Sequence, residues 1–206
     1  MSKNYNIDEK IVDDLSVLEP EGTYSYADYL KWTFDERVEL IKGKLFKMSP
    51  APKRLHQKID VKILYSIYDF LQGQKCEVYT APFDVRFPKS DLDSNEQTYT
   101  VVQPDICVIC DLSKLDDAGC KGAPDLVVEV LSPTTAEKDL TDKFQLYEEH
   151  LVKEYWVVFP DEKVVEIFGL NESGKYHSRG KFVGSDNLTS DVLKGFSLVV
   201  NEVFED

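Results

Sequence analysis

The chain has 206 residues, 42% hydrophobic and 30% charged, a balance that suits a globular domain with its own core. Its 38 acidic residues outnumber 24 basic ones, and the net charge of −14 weighs against broad non-specific attraction to nucleic acid. No apolar run reaches the roughly 18 residues of a membrane span, and the first ten residues lack an apolar export core; the expectation is a cytoplasmic chain with no membrane partner.

In chain order, residues 1–23 read as a polar arm and residues 24–206 as one domain. Ser25 to Trp32 predicts a short helix. Val38–Ile41 and Lys44–Met48 flank Lys42-Gly43, a hairpin pattern. Leu55, Ile59, Ile63, Ile67 and Leu71 recur every four residues and predict a helix from about Arg54 to Gln72. Strands are expected over Glu77–Phe87, Tyr99–Cys110, Ala123–Leu131, Tyr155–Phe159 and Val164–Phe168, with loops at Pro88–Thr98 and Leu112–Lys121. Thr134 and Glu137 have capping-box spacing ahead of a second helix running to about His150. The apolar segment near Phe204 closes the chain. This order predicts an α/β fold with a mixed sheet flanked by helices.

Four cysteines, Cys76, Cys107, Cys110 and Cys120, are expected to be reduced and structural. Cys107 and Cys110 have C-x-x-C spacing. In a strand, side chains three apart point to opposite faces, and no second pair follows, so zinc is not inferred.

The acidic chain has one acid-free window, Leu40 to Ile59, which holds Lys42, Lys44, Lys47, Lys53, Arg54, His56 and Lys58. It reads either as a solvated face or as a local positive stripe. His56, at the start of the predicted helix, titrates near neutral pH and suits a phosphate contact or acid–base work.

The chemistry centres on two carboxylates in apolar strands. Asp105 lies in Gln103-Pro104-Asp105-Ile106-Cys107-Val108-Ile109, and Glu129 in Pro124-Asp125-Leu126-Val127-Val128-Glu129-Val130-Leu131. Carboxylates are costly to bury unless paired or bound to a metal. If the strands pair, alternation lets Asp105 and Glu129 converge, and Gln103 points the same way as Asp105. Magnesium often takes one or two carboxylates plus water. Asp139, Lys143 and Tyr147, spaced by four, form one helix stripe from which Lys143 reaches back towards Glu129. Read from spacing alone, Asp139 and Lys143 are equally a surface pair. Asp125, four residues before Glu129, reads as a strand-end residue.

The ordered set Val38-Glu39-Leu40-Ile41-Lys42-Gly43-Lys44, Met48-Ser49-Pro50, His56, Gln103-Pro104-Asp105, Gly122 to Pro133, Asp139, Lys143, Tyr147 and Glu154-Tyr155-Trp156 resembles the Uma2 family over roughly residues 24–200. That family is regarded as restriction-endonuclease-like and is similar in fold to the PD-(D/E)xK nucleases. The resemblance implies a restriction-endonuclease-like core of order roughly αβββαβ with extra strands. It implies a nuclease hydrolysing phosphodiester bonds in DNA with Mg2+ (or Mn2+). Asp105 and Glu129 would bind the metal, Glu39 would add a ligand, and Lys143 would assist the attacking water. Lys42, Lys44, Lys53, Arg54, His56 and Lys58 would receive nucleic acid. Gln103, Asp139 and Tyr147 would support the site from behind. The chain departs from the superfamily pattern at Leu131, where a lysine is usual. A competing expectation is a non-catalytic nucleic-acid-binding or assembly module on the same fold. By analogy with restriction-like enzymes, a homodimer is a further expectation, with the apolar tail packed in it.

Overall fold

A computed structural model describes residues 11–48, 53–90, 92–132 and 139–205, with Asp139 and Leu140 described by backbone only. The first ten residues of the expected arm, and the Thr134–Glu137 capping box, lie outside these. The helices are α1 (Tyr26–Tyr29), α2 (Arg54–Phe70), α3 (Phe144–Glu149) and α4 (Val200–Phe204). The strands are β1 (Val38–Ile41), β2 (Lys44–Lys47), β3 (Glu77–Thr80), β4 (Val85–Arg86), β5 (Val101–Val102), β6 (Ile106–Ile109) and β7 (Leu115–Asp116). They continue with β8 (Gly119–Lys121), β9 (Leu126–Val130), β10 (Glu154–Phe159), β11 (Val164–Leu170), β12 (Tyr176–Val183), β13 (Asn187–Thr189) and β14 (Ser197–Val199). No described helix is long and apolar enough to cross a membrane.

The described residues fall into two compact units. One runs up to Met48 and includes Arg86–Val102; the other comprises Ser49–Val85 and Gln103 onward. In the first, β1 and β2 form the expected hairpin, with Ile41 opposite Lys44. Its turn residues Lys42 and Gly43 have φ of 53° and 79°, the conformation a two-residue turn between twisted strands requires. A Cβ on Gly43 would meet Thr23 at 2.6 Å. Helix α1 is shorter than predicted and starts at a capping box between Ser25 and Asp28. Tyr24, Tyr26, Leu40 and Val101 form the unit's small core.

The second unit is built on a mixed sheet of order β12-β11-β10-β9-β6-β3. Strands β9 and β10 are parallel, and the other neighbours are antiparallel. Parallel neighbours need a crossover. Here it contains a π-helical turn, Asp139–Lys143, that runs into α3. Helix α2 lays Ile59, Ile63 and Ile67, all fully buried, against Ile106, Val108, Val128 and Trp156. On the other face Tyr147 of α3 meets Tyr155 edge-on at 5.1 Å. Both faces of β9 are covered, as its nearly unbroken apolar sequence predicts.

Four expectations are corrected. Tyr99–Cys110 is not one strand: the chain breaks at Gln103-Pro104-Asp105, where Pro104 has no N–H to give a ladder, and β5 and β6 belong to different units. Glu77–Phe87 is likewise split into β3 and β4, with a cis Ala81–Pro82 bond between them. The loop at Leu112–Lys121 contains the β7–β8 hairpin. Cys76 and Cys110 form a disulfide joining the start of β3 to the end of β6, whereas Cys107 and Cys120 are free and buried. The apolar tail is also committed: Val200, Val203 and Phe204 are part of the unit's own core.

Ile63→Ala removes the middle of the α2 stripe and is expected to lower unfolding free energy by about 2–5 kcal/mol in urea titration.

Candidate active site

Alternation along β9 decides the fate of Glu129. Leu126, Val128 and Val130 face the α2 core, so Glu129 points to the opposite side, under the crossover helix. Its side chain is only 4% exposed. An isolated carboxylate there would cost several kcal/mol. Lys143 Nζ donates to Glu129 Oε1 at 2.8 Å and Tyr147 Oη donates to the same oxygen at 2.7 Å. Both donors come from the element that follows β9, and their spacing of four puts them on one side of it. Lys143 closes the π-turn, whose wider winding changes the spacing towards Asp139. The Asp139 side chain lies outside the described residues. Leu131 is buried, and the cation that meets Glu129 comes from the element after β9.

Asp105 stands just before β6. That strand pairs with β9 with Ile106 opposite Val128, so Asp105, one residue on, is level with Glu129. Asp105 Oδ2 accepts the Val130 N–H at 2.8 Å and lies 3.3 Å from His56 Nε2. Its backbone carbonyl accepts Thr80 Oγ1 at 2.8 Å and Ala81 N–H at 3.2 Å. The residue is held from β3, β9 and α2 at once.

Helix α2 supplies a residue that sequence reasoning missed. Asp60 lies four residues after His56, on the same side of the helix, and its Oδ2 is 3.5 Å from Thr80 Oγ1. Burial, then the Asp105 charge, push the Asp60 carboxyl up to about 7, against the opposing influence of His56. At His56, burial works against protonation, but the hydrogen bond and charge of Asp105 outweigh it and raise the imidazole. His56 Nδ1 and Asp60 Oδ1 are shielded from solvent and have no hydrogen-bond partner among the described residues. The available signal was the i, i+4 spacing from His56, at the first acid after the acid-free window.

The donor set fits a hard divalent cation. Asp105 and Asp60 offer carboxylate oxygens beside His56, and Glu129 stands level with Asp105 on β9 with its own oxygen bound by Lys143 and Tyr147. Among the described residues no three His, Cys, Asp or Glu side chains are gathered to hold an ion by themselves. Magnesium does not need three, because water and phosphate oxygens complete its octahedron.

The other expected site residues are placed as follows. Gln103 Nε2 donates to Asp84 Oδ1 at 2.9 Å. Lys53 and Arg54 are exposed at the start of α2, and Lys58 is partly buried one turn later. Lys42, Lys44 and Glu39 belong to the first unit. Lys42 is exposed in the hairpin turn. Lys44 Nζ is bound to the Glu21 carbonyl at 2.9 Å. Glu39, in β1, is 1% exposed. Asp125 is a strand-end clamp, as expected: it accepts the Cys110 N–H at 2.7 Å and pairs with Lys153 at 2.6 Å.

The Uma2 family model, described as "Putative restriction endonuclease", matches residues 26–201. The chain belongs to the Uma2 family. An uncharacterized protein of Synechocystis sp. is 28% identical to this Uma2 chain over 188 residues, 90% of this chain and 93% of its own length. A crystal structure from Anabaena variabilis, described as a putative nuclease belonging to DUF820, superposes with a TM-score of 0.67 at 19% identity. The match covers 88% of this chain and 97% of the other. At that identity the likeness shows a shared fold, the mixed α/β architecture expected from sequence.

Lys143→Met leaves Glu129 buried without its cation and is expected to lower stability by about 3–5 kcal/mol; adding Glu129→Met should recover most of it. Urea midpoints of the parent, Lys143→Met, Glu129→Met and the double variant check this. The native state holds the Asp60 proton after the unfolded chain has released it. Stability should therefore fall as pH rises from 3.8 to about 7. His56, also raised, extends that fall above 6.5. Asp60→Asn should flatten the lower part of the slope in metal-free thermal melts, and an unchanged slope would assign it to another group.

Proposed function

We propose that this Uma2 chain is a metal-dependent nuclease that hydrolyses phosphodiester bonds in DNA. The observation that carries the reading is Lys143 on the Oε1 of a buried Glu129, with Asp105 level with it on the neighbouring strand. The family description supports the same reaction class.

Asp105 and Glu129 would hold Mg2+ or Mn2+. Such an ion, when bound, neutralises phosphate charge and makes water a better nucleophile. Tyr147 and Lys143 fix the rotamer of Glu129. The Lys143 ammonium is proposed to supply a charge that stabilises negative charge developing on the phosphate. His56 steadies Asp105 through Nε2. The exposed Lys53 and Arg54 add positive charge at the N-terminal end of α2, which also carries the positive end of the helix dipole and no acid in its first turn. That end suits a phosphate backbone. Within the first unit, Lys42 and Lys44 are separately proposed as nucleic-acid contacts and Glu39 as a metal-binding carboxylate.

A second reading has its own support. Leu131 in the usual lysine place, and Glu129 already neutralised by Lys143, suit a binding or assembly module. Plasmid cleavage with Mg2+ or Mn2+ separates the two readings. Asp105→Ala and Glu129→Ala are expected to lose about a hundredfold or more of the parent's rate. Parent-like cutting by both variants would sink the site assignment. Calorimetry that finds no Mg2+ or Mn2+ binding, or binding unaltered in Glu129→Ala, would favour the module.

A further inference from the structure

The outward face of α2 is unusual for so acidic a chain. Arg54, Lys58, Val61, Tyr65 and Tyr68 are spaced by four, three, four and three residues, so they form a single stripe. It lies opposite Ile59, Ile63 and Ile67, which face the core. Val61, Tyr65 and Tyr68 are 61%, 67% and 57% exposed. From Leu40 to Tyr68 the one acid is Asp60, and it lies on the inward side next to Asp105. The stripe therefore begins with two cations near the candidate catalytic end of the helix. It continues into two phenol rings, the first about 10 Å beyond Lys58 and the second about 15 Å beyond it.

We infer that this face of α2 is a binding track for single-stranded nucleic acid, with Arg54 and Lys58 on phosphates and Tyr65 and Tyr68 stacked on bases. The inference rests on the proposed nuclease reading and specifies its substrate as unpaired strands. Cations and exposed aromatic rings in one line match a polyanion that also presents flat apolar faces. A duplex presents phosphates but covers its base faces by stacking, so it would use Arg54 and Lys58 and leave both rings idle. The net charge of −14 makes the Arg54–Lys58 end of the stripe selective, because phosphate is repelled from most of the remaining surface, the exposed Asp69 beside Tyr65 and Tyr68 included.

The full chain, in chelator and at about 0.1 M salt, would be titrated by fluorescence anisotropy with thymidine and uridine oligonucleotides of about 12 residues and a duplex of the same length. The thymidine strand is expected to bind at least about tenfold more tightly than the duplex. The Tyr65→Ala/Tyr68→Ala variant is expected to lose about tenfold or more for the single strand and nothing for the duplex. Tyr65→Phe/Tyr68→Phe should retain parent affinity, because it keeps the rings. Equal affinity for duplex and single strand, or undiminished binding by the double alanine variant, overturns the track. A variant that binds normally but dissociates an oligomer in sedimentation overturns it in favour of a second copy on this face. Tighter binding of the uridine strand supports the track and moves the proposed substrate from DNA to RNA. Failure to cleave the single-stranded oligonucleotides with Mg2+ or Mn2+, with this binding pattern intact, overturns the nuclease reading alone.

Discussion

Glu129 is a carboxylate in the middle of a five-residue strand whose other members are Leu, Val, Val and Val, and it is 3% exposed. Burying it alone would cost a large share of a domain's total stability. The fold accommodates it by bringing the β9–β10 crossover back over the strand, so that Lys143 and Tyr147 both end on one of its oxygens. Much else follows from that placement. The crossover lets β9 and β10 lie parallel, covers the second face of the sheet, and sets Tyr147 against Tyr155. A second buried acid shows the contrast. Glu154 accepts Trp156 Nε1 at 2.6 Å and the Asp191 amide at 2.7 Å, with Arg179 at 3.3 Å. Fixed backbone and indole donors make Glu154 a fastening for the chain around residues 190–192. Glu129 is matched instead by a lysine ammonium and a phenol from a single following element.

The second half of the candidate site is organised by Asp105. It sits where the chain leaves one unit and enters β6 of the other, and it is tied to the residue after Glu129 through the Val130 amide. His56 and Asp60 approach it from α2, whose opposite side is packed by the isoleucines. Burial and the Asp105 charge raise the proton affinity of Asp60, and the hydrogen bond and charge of Asp105 outweigh burial to raise that of His56. The orphaned Oδ1 and Nδ1 atoms are consistent with a site built to receive something polar.

Much of this was readable from residue order. Ile59, Ile63 and Ile67 specified α2, and Lys42-Gly43 specified a two-residue turn. The continuous apolar run of β9 specified a strand covered on both sides. Glu129 and Lys143 could be nominated because one is anomalous in a strand and the other is within reach on the next element. The misses share a physical cause. Pro104 interrupts a run whose composition still favours strand, and composition does not show that its halves join different sheets. Cys76 and Cys110 are 34 residues apart, and only the pairing of β3 with β6 brings them together. Asp60 lacked any local oddity: a carboxylate in a polar stretch of an amphipathic helix looks solvated until the strands beside it are known.

Periodicity and turn chemistry act within a few residues, so the sequence by itself determined α2, the β1–β2 hairpin, the core of β9 and the family. It also placed Asp105 and Glu129 in apolar surroundings and Lys143 on the element that follows. Which atoms meet was decided by the tertiary structure. Register put Asp105 level with Glu129, the crossover put Lys143 and Tyr147 on one oxygen, and the packing of α2 turned His56 and Asp60 inward while leaving Tyr65 and Tyr68 in solvent. These outcomes depend on desolvation and on contacts between residues distant in sequence, and neither quantity exists until the chain is folded.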